Sequence, residues 1–226
     1  MIRKVKIENL DCLCCRADDK GKIAYILYPM DILSGWIETA AKKYGTDIIV
    51  ITGMDWQNVF SPWPSKGVPK GSPDFEGESP EFLNLLQNSI IPKIENLLGF
   101  ADAPERTLVG VSMSGLFALW QWLKCDTFVN IASLSGSLWY DGFIDWMKSR
   151  EIPTKSGMAY FLLGDQEARS KVKAFNSVSA DTEEAISLLD SHGIKTEFQS
   201  VPGNHYAAPI PRLDKAFTAL YSDNRP

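Results

Sequence analysis

The stretch Thr107-Leu108-Val109-Gly110-Val111-Ser112-Met113-Ser114-Gly115-Leu116 (107–116) decides the fold assignment. An apolar run leads into Ser112, and an apolar segment with helical spacing follows it. A serine on such a strand–turn–helix lies on a strained turn, and the residues two positions on either side must be small. Gly110 and Ser114 meet this requirement. The stretch therefore predicts a nucleophilic serine, with an ordinary strand-to-helix turn as the alternative.

Strand-like and helix-like segments alternate along the rest of the chain. Continuous apolar runs predict buried strands, and apolar residues at intervals of three and four predict amphipathic helices. Such alternation predicts an α/β fold, with a mostly parallel central sheet and helices on both faces. The predicted strands are 3–10, 22–28, 47–52, 107–111, 127–133, 157–163 and 195–201. The predicted helices are 34–44, 80–98, 114–124, 140–149, 181–191 and 211–221.

Length and composition restrict the class of protein. The 226 residues suit a single α/β domain, 1–226, and 45% hydrophobic and 23% charged residues are typical of globular proteins. The formal net charge is −5, without a long basic run, so we expect neither a nucleic-acid nor a membrane partner. The first residues alternate charged and apolar side chains, and we expect no signal peptide. No apolar stretch approaches the ~20 residues of a membrane span.

The cysteines indicate a compartment rather than a site. Three of the four cysteines are Cys12, Cys14 and Cys15, and the fourth is Cys125. Near neighbours do not bridge each other easily, so we expect reduced thiols in a cytoplasmic protein. The spacing lacks the second ligand pair of a zinc module, and we expect no metal.

The segment 53–80 is predicted to be a loop inserted at the active site. It is rich in Gly, Pro and Ser but also contains aromatic residues, and long loops in compact domains are usually functional. Trp56 and Trp63 from this loop, with Trp139 and Tyr140 from a later one, are candidate substrate-binding residues because aromatic rings bind flat or apolar groups. The alternative is that some of them are ordinary core residues.

The chain has two histidines, and their positions in the sequence indicate different roles. His192 ends a predicted helix, where a histidine commonly binds the last carbonyls, and we interpret it as structural. His205 follows the last predicted strand, at the sheet edge where ligands bind in parallel α/β folds. We therefore expect His205 to be the general base for Ser112.

An acidic residue should orient this histidine, and an oxyanion hole should face the serine. The loop after the strand 157–163 offers Glu167, which we favour, and Asp165 as its rival. One oxyanion donor is predicted to be the N–H of Met113. The other should follow the strand ending at Tyr28; since Pro29 has no N–H, Met30 or Asp31 must donate.

The chain resembles the esterases of the α/β-hydrolase superfamily that are related to esterase D and to enterobactin-type siderophore esterases. The segments that carry the resemblance are 109–119, 135–139, 163–167 and 202–205. The resemblance implies an α/β-hydrolase fold and a serine hydrolase that acts on carboxylic esters through a Ser–acid–His triad. It carries over directly to Ser112 and His205, and in many such enzymes the acid stands three residues after a glycine, the register of Glu167. Ser114 replaces the second glycine of the family's Gly-x-Ser-x-Gly motif.

The expected activity is hydrolysis of a small-molecule acyl ester through an acyl-enzyme, without a cofactor. The same triad also serves thioesterases, peptidases and acyltransferases. A catalytically inactive hydrolase-fold binding protein is the alternative from another class, and Ser114 and the loop at Pro29 are the features that favour it.

Overall fold

The centre of the fold is one mixed sheet in the order β1-β2-β4-β3-β5-β6-β7-β8. The structure is a computed structural model that describes residues 2–17, 21–31, 33–100 and 103–222. Strands β3 to β8 are parallel, whereas β2 pairs antiparallel with both β1 and β4. The mostly parallel sheet predicted from the alternation is confirmed. The strands are β1 Ile2–Ile7, β2 Leu10–Cys15, β3 Lys22–Leu27, β4 Asp47–Thr52, β5 Glu105–Val111, β6 Asn130–Leu134, β7 Met158–Gly164 and β8 Lys195–Val201.

The first predicted strand, 3–10, is wrong at its end. The chain turns at Glu8 and Asn9, which both have positive φ (48° and 63°), and β2 then runs back along β1. Two successive residues of positive φ are typical of the tight turns that match strand twist. The cysteine-rich stretch 12–15 therefore lies in a buried strand. Burial raises the pKa of the Cys12 thiol to about 12, so this thiol stays protonated at neutral pH.

The helices lie where the periodicity predicts them, with boundaries shifted by a few residues. A π-helical turn, Leu86–Ile90, joins the helix Ser79–Leu85 to the helix Ile91–Leu98, so the predicted helix 80–98 is one continuous helical segment. Within the described ranges, no helix is long and apolar enough to cross a membrane. The helices are α1 Ser34–Tyr44, α2 Ser79–Leu85, α3 Ile91–Leu98, α4 Met113–Trp122, α5 Phe143–Lys148, α6 Val178–Ser191 and α7 Pro209–Tyr221.

Alternate residues of the central strands are buried on opposite faces of the sheet. In β3, Ile23 and Tyr25 belong to the core that contains α2 to α6, whereas Ala24 and Ile26 belong to the core formed with α1 and α7. All four side chains are fully buried, which explains why the strand appears in the sequence as a continuous apolar run.

The register of the parallel strands determines which loops meet. Gly110 of β5 lies opposite Leu27 of β3, and Val111 lies opposite Leu134 of β6. Because parallel strands end at the same edge, the segments after each of the strands β3 to β8 converge there. The residues expected to act chemically follow these strands.

Candidate active site

Ser112 occupies a strained turn between β5 and α4. Its φ of 57° and ψ of −122° lie outside the regions that non-glycine residues prefer. The turn brings the chain before and after Ser112 into contact, because a Cβ at Gly110 would lie 2.0 Å from the carbonyl oxygen of Ser114. The strained turn directs the serine side chain into the cavity at the end of the sheet.

Ser114, the departure from a second glycine, is held in this turn by hydrogen bonds. Its Oγ accepts a hydrogen bond from the Val111 N–H at 2.8 Å, and its hydroxyl lies 3.0 Å from the Leu27 carbonyl oxygen. These bonds join the start of α4 to the ends of β5 and β3. The substitution that favoured an inactive scaffold is therefore accommodated by the local hydrogen bonding.

A chain of hydrogen bonds joins Ser112, His205 and Glu167. The Nε2 atom of His205 lies 3.1 Å from the Ser112 Oγ, and its Nδ1 atom lies 3.1 Å from Glu167 Oε2. Asp165, the rival acid, is exposed, and its Oδ1 accepts a hydrogen bond from the Gly203 N–H at 3.0 Å. Glu167 therefore lies within hydrogen-bond distance of His205, whereas Asp165 binds the backbone of the loop that precedes His205.

The carboxylate of Glu167 is buried and multiply hydrogen bonded. Its Oε1 accepts hydrogen bonds from the Ser135 hydroxyl (2.7 Å), the Gly164 N–H (2.7 Å) and the Arg212 guanidinium (2.9 Å). Burial by itself raises the pKa of this carboxyl, but the hydrogen bonds from His205, Ser135 and Gly164 together lower it more, so the pKa lies below its ordinary value. The positive charge of Arg212 acts in the same direction. Glu167 is therefore an anion that can accept a hydrogen bond from the Nδ1–H of His205.

Arg212 and Ser135 are site residues that the sequence reasoning missed. Arg212, from α7, also donates to the backbone carbonyl of Asn204 at 2.6 Å, directly before His205, and it hydrogen bonds to Ser135. One buried guanidinium thus holds both the acid and the loop that carries the histidine. A lone arginine in an amphipathic helix gives no sequence signal of this role, because arginines in such helices are mostly exposed.

Ser137 is a second hydroxyl beside the nucleophile position. Its Oγ lies 3.4 Å from the Ser112 Oγ, and its N–H donates to the Ser112 carbonyl at 3.0 Å. It is buried and lines the same cavity. The stretch 135–139 therefore supports the serine turn from β6.

Of the predicted oxyanion donors, one lies at the cavity and the other two candidates do not. Met113 is the first residue of α4 and lines the cavity, and an N–H at this helix position has no acceptor within the helix. Met30 and Asp31 do not line the cavity, and the Asp31 carboxylate pairs with Lys4 at 3.0 Å. The loop that contains them does leave β3 beside the serine turn, at Leu27.

The cavity at Ser112 has a volume of about 500 Å³ and largely aromatic and aliphatic walls. Trp56 and Trp139 line it, as expected of substrate-binding residues. Trp63 and Tyr140 do not: the Trp63 indole donates to the Asp141 carbonyl at 3.1 Å, and the Tyr140 hydroxyl donates to the Trp63 carbonyl. These two rings lie outside the cavity wall and attach the loop 53–80 to the segment after β6. Other apolar side chains in the wall include Val68, Phe75, Val172, Phe175 and Val178.

Two further expectations concern histidine and metal. His192 caps the end of α6, where its Nδ1 lies 2.8 Å from the Leu188 carbonyl oxygen, in agreement with a structural role. In the part of the chain that the structure describes, no group of three or more His, Cys, Asp or Glu side chains could hold a metal ion. The four cysteines are free thiols.

Comparisons with known proteins agree with this architecture. The uncharacterized protein YbbA of Bacillus subtilis is 25% identical over 199 residues, which cover 84% of this chain and 80% of that protein. An IroE-like serine hydrolase from Shewanella oneidensis superposes with a TM-score of 0.80 at 14% identity, over 99% of this chain and 81% of its own. The siderophore hydrolase EstB from Aspergillus nidulans gives a TM-score of 0.78 at 15% identity, over 100% and 96% of the two chains. At these identities the structural similarity establishes the fold alone.

A family assignment comes from the sequence itself. The family described as "Putative esterase" matches residues 27–217, a range that begins at the end of β3 and includes Ser112, Glu167 and His205. The chain therefore belongs to this esterase family and is a carboxylic ester hydrolase with the α/β-hydrolase fold.

Proposed function

We propose that the chain is a serine hydrolase that cleaves a small-molecule carboxylic ester through an acyl-enzyme. The observation that carries this proposal is the hydrogen-bonded chain Glu167–His205–Ser112, which ends at a strained serine in the wall of a cavity. Each member occupies the role that acyl transfer requires: nucleophile, general base, and the acid that orients the base.

In the first half of the reaction, the Ser112 Oγ attacks the acyl carbon while His205 Nε2 accepts the serine proton. Glu167 holds the imidazole in the tautomer with Nδ1 protonated and stabilises the imidazolium that forms. The Met113 N–H and a second N–H, from Met30 or Asp31, bind the developing oxyanion. Movement of the loop after β3 towards the cavity would supply that second donor.

In the second half, the proton on His205 passes to the leaving alcohol, and a water molecule takes the place of that alcohol. His205 then accepts a proton from this water as it attacks the acyl carbon bound to Ser112. The tetrahedral intermediate then collapses: the bond from the acyl carbon to the Ser112 Oγ breaks, His205 returns its proton to that oxygen, and the acid product leaves the free enzyme. No step in this sequence calls for a metal or an organic cofactor.

The cavity supports a substrate with a flat or apolar body. Trp56 and Trp139 offer broad rings for such a group, and about 500 Å³ suits a small molecule. The structural relative EstB is a siderophore hydrolase, and siderophore esters therefore belong in a substrate panel beside simple aryl esters, thioesters and peptides. Such a panel separates an esterase from a thioesterase or peptidase that uses the same triad.

We also propose a cytoplasmic location. The four cysteines are free thiols, and Cys12, Cys14 and Cys15 are buried in β2. Reduced thiols are typical of cytosolic proteins. Microscopy of the fluorescently tagged full chain tests this placement, and export of the tagged protein would contradict it.

The experiment that tests the proposed function is pre-steady-state hydrolysis of a 4-nitrophenyl ester by the wild type, Ser112→Ala and Ser191→Ala. We expect the wild type to release a burst of nitrophenol equivalent to the enzyme concentration if deacylation is slower than acylation. Ser112→Ala should lose both burst and turnover, and Ser191→Ala, which changes an exposed serine on α6, should keep them. Turnover by Ser112→Ala at the wild-type rate would refute the mechanism.

A further inference from the structure

We propose that the substrate of this site carries a negatively charged group, and that Arg169 binds it. This inference rests on the proposed function and adds the charge class of the ester. Arg169 ends the short 3₁₀ turn that begins at Glu167, and its side chain is exposed where it lines the active-site cavity. The guanidinium thus lies close in the chain to the acid of the triad but faces the space that a substrate would fill.

The charged side chains in the cavity wall differ in whether another residue of the protein already pairs with them. Besides the ionisable His205, the charged side chains that the described residues contribute to the cavity wall are Glu167 and Arg169. Glu167 is fully engaged by His205 and Arg212. No hydrogen bond or ion pair joins the Arg169 side chain to any other residue in the described ranges. An unpaired guanidinium in a wall of aromatic and aliphatic side chains is suited to a carboxylate, phosphate, sulfate or phenolate group of a ligand.

A second groove continues the positive charge away from the cavity. It has a volume of about 670 Å³ and shares Val68 and Val172 with the active-site cavity, so the two adjoin. Its charged residues are four lysines and one aspartate, and that aspartate, Asp74, pairs with Lys66 at 2.8 Å. The three remaining lysines are Lys70, Lys171 and Lys173.

This positive region contrasts with the chain as a whole, whose formal net charge is −5. A separate depression, which shares Trp139 alone with the cavity among the described residues, has acidic side chains in its wall. There Glu184 pairs with Lys148 at 2.9 Å, and the other acids are Asp141, Asp145 and Asp181. The anionic part of the substrate should therefore extend from Arg169 towards Val68 and Val172, whereas the apolar body contacts Trp56 and Trp139.

The test compares rigid esters that differ in one charge. One pair places the charge in the acid: mono-4-nitrophenyl terephthalate against 4-nitrophenyl 4-carbamoylbenzoate. The other pair places it in the alcohol: 4-acetoxybenzoate against 4-acetoxybenzamide. The para geometry prevents the carboxylate from attacking its own ester. kcat and KM are measured for each ester at low salt and at about 0.3 M salt, where exposed charges are screened.

The variants are Arg169→Gln, Arg169→Lys and, as a control with the same change in net charge, Lys195→Gln. Lys195 is exposed at the start of β8 and lines neither the cavity nor the groove. We expect the wild type to prefer the anionic ester in at least one pair, and Arg169→Gln to lower that preference about fivefold, chiefly through KM. Arg169→Lys should keep part of the preference, Lys195→Gln all of it, and high salt should weaken it.

Equal preference in the wild type and Arg169→Gln, in both pairs, would overturn the inference. The proposed function would then still stand if Ser112→Ala abolishes hydrolysis of the neutral esters, so the two failures are distinguishable. If Ser112→Ala hydrolyses these esters as fast as the wild type, the proposed function fails and the inference fails with it.

Discussion

The guanidinium Nη1 of Arg212 lies 2.9 Å from Glu167 Oε1, and both side chains are buried. Arg212 comes from α7 and Glu167 from the turn after β7, 45 positions earlier in the chain. The same guanidinium binds the Asn204 carbonyl directly before His205. The last helix of the fold therefore positions two members of the proposed triad at once.

Arg212→Met should reduce both stability and turnover. Removing one partner of a buried ion pair leaves an uncompensated charge, which lowers the free energy of unfolding by about 3 kcal/mol. We expect kcat to fall more than KM rises, because Arg212 does not line the cavity. Arg212→Lys should recover part of the activity, and Lys215→Met, an exposed change on the same helix, should change neither urea unfolding nor kcat. Wild-type kcat in Arg212→Met would show that the positioning is not needed.

Glu167→Gln and Asp165→Asn separate the two candidate acids. The amide cannot stabilise the imidazolium, and Glu167→Gln should lower kcat by about 10³-fold or more. Asp165→Asn should stay within a few-fold of the wild type, because Asp165 bonds the Gly203 N–H and not His205. Steady-state kinetics on one aryl ester, with circular dichroism to confirm folding, measures both variants. The opposite order of the two losses would assign the acid to Asp165.

The stability of the protein should depend on pH through Glu167. The pKa of Glu167 is lowered in the folded state, so its stabilising contribution is complete above the ordinary glutamate pKa of about 4.3 and is lost as the pH falls through the folded value. Urea unfolding between neutral pH and about pH 3 should therefore show a smaller loss of stability for Glu167→Gln than for the wild type. Glu183→Gln, on the exposed side of α6, should follow the wild type. Parallel curves for wild type and Glu167→Gln would contradict this account.

Gly110→Ala should disrupt the serine turn. The added Cβ would lie 2.0 Å from the Ser114 carbonyl oxygen, which is backbone and cannot rotate away. We expect a loss of about 3 kcal/mol in the free energy of unfolding, as for severe overpacking, and loss of activity. Gly35→Ala is the matched control: a Cβ there meets no atom within 4 Å, and alanine favours the helix by about 0.5 kcal/mol. Thermal unfolding of both variants measures the difference, and equal melting temperatures would refute the steric argument.

The sheet and helices could be predicted from the sequence because burial on both faces gives the strands continuous apolar runs. Ile48 to Ile51 and Leu108 to Val109 are fully buried, and their pattern predicts this directly. The β1–β2 hairpin could not be predicted, because its turn at Glu8 and Asn9 lacks the glycine that usually marks positive φ.

Which residues meet in the site depends on distances that the sequence does not contain. Glu167 and Asp165 lie two positions apart, so the sequence alone leaves them as rivals, and the path of the turn decides which carboxylate reaches His205. Trp56 and Trp63 share one loop, but the indole N–H of Trp63 is bound to the backbone at Asp141, whereas Trp56 remains at the cavity.

The measurement that tests the central claim most directly is peptide mapping of the protein after reaction with a fluorophosphonate. The account predicts one adduct per chain, on Ser112, and none on Ser137, whose Oγ lies 3.4 Å away. The His205→Asn variant should react far more slowly, because the serine proton then has no acceptor. An adduct on Ser137, or labelling that does not slow in His205→Asn, would contradict the account.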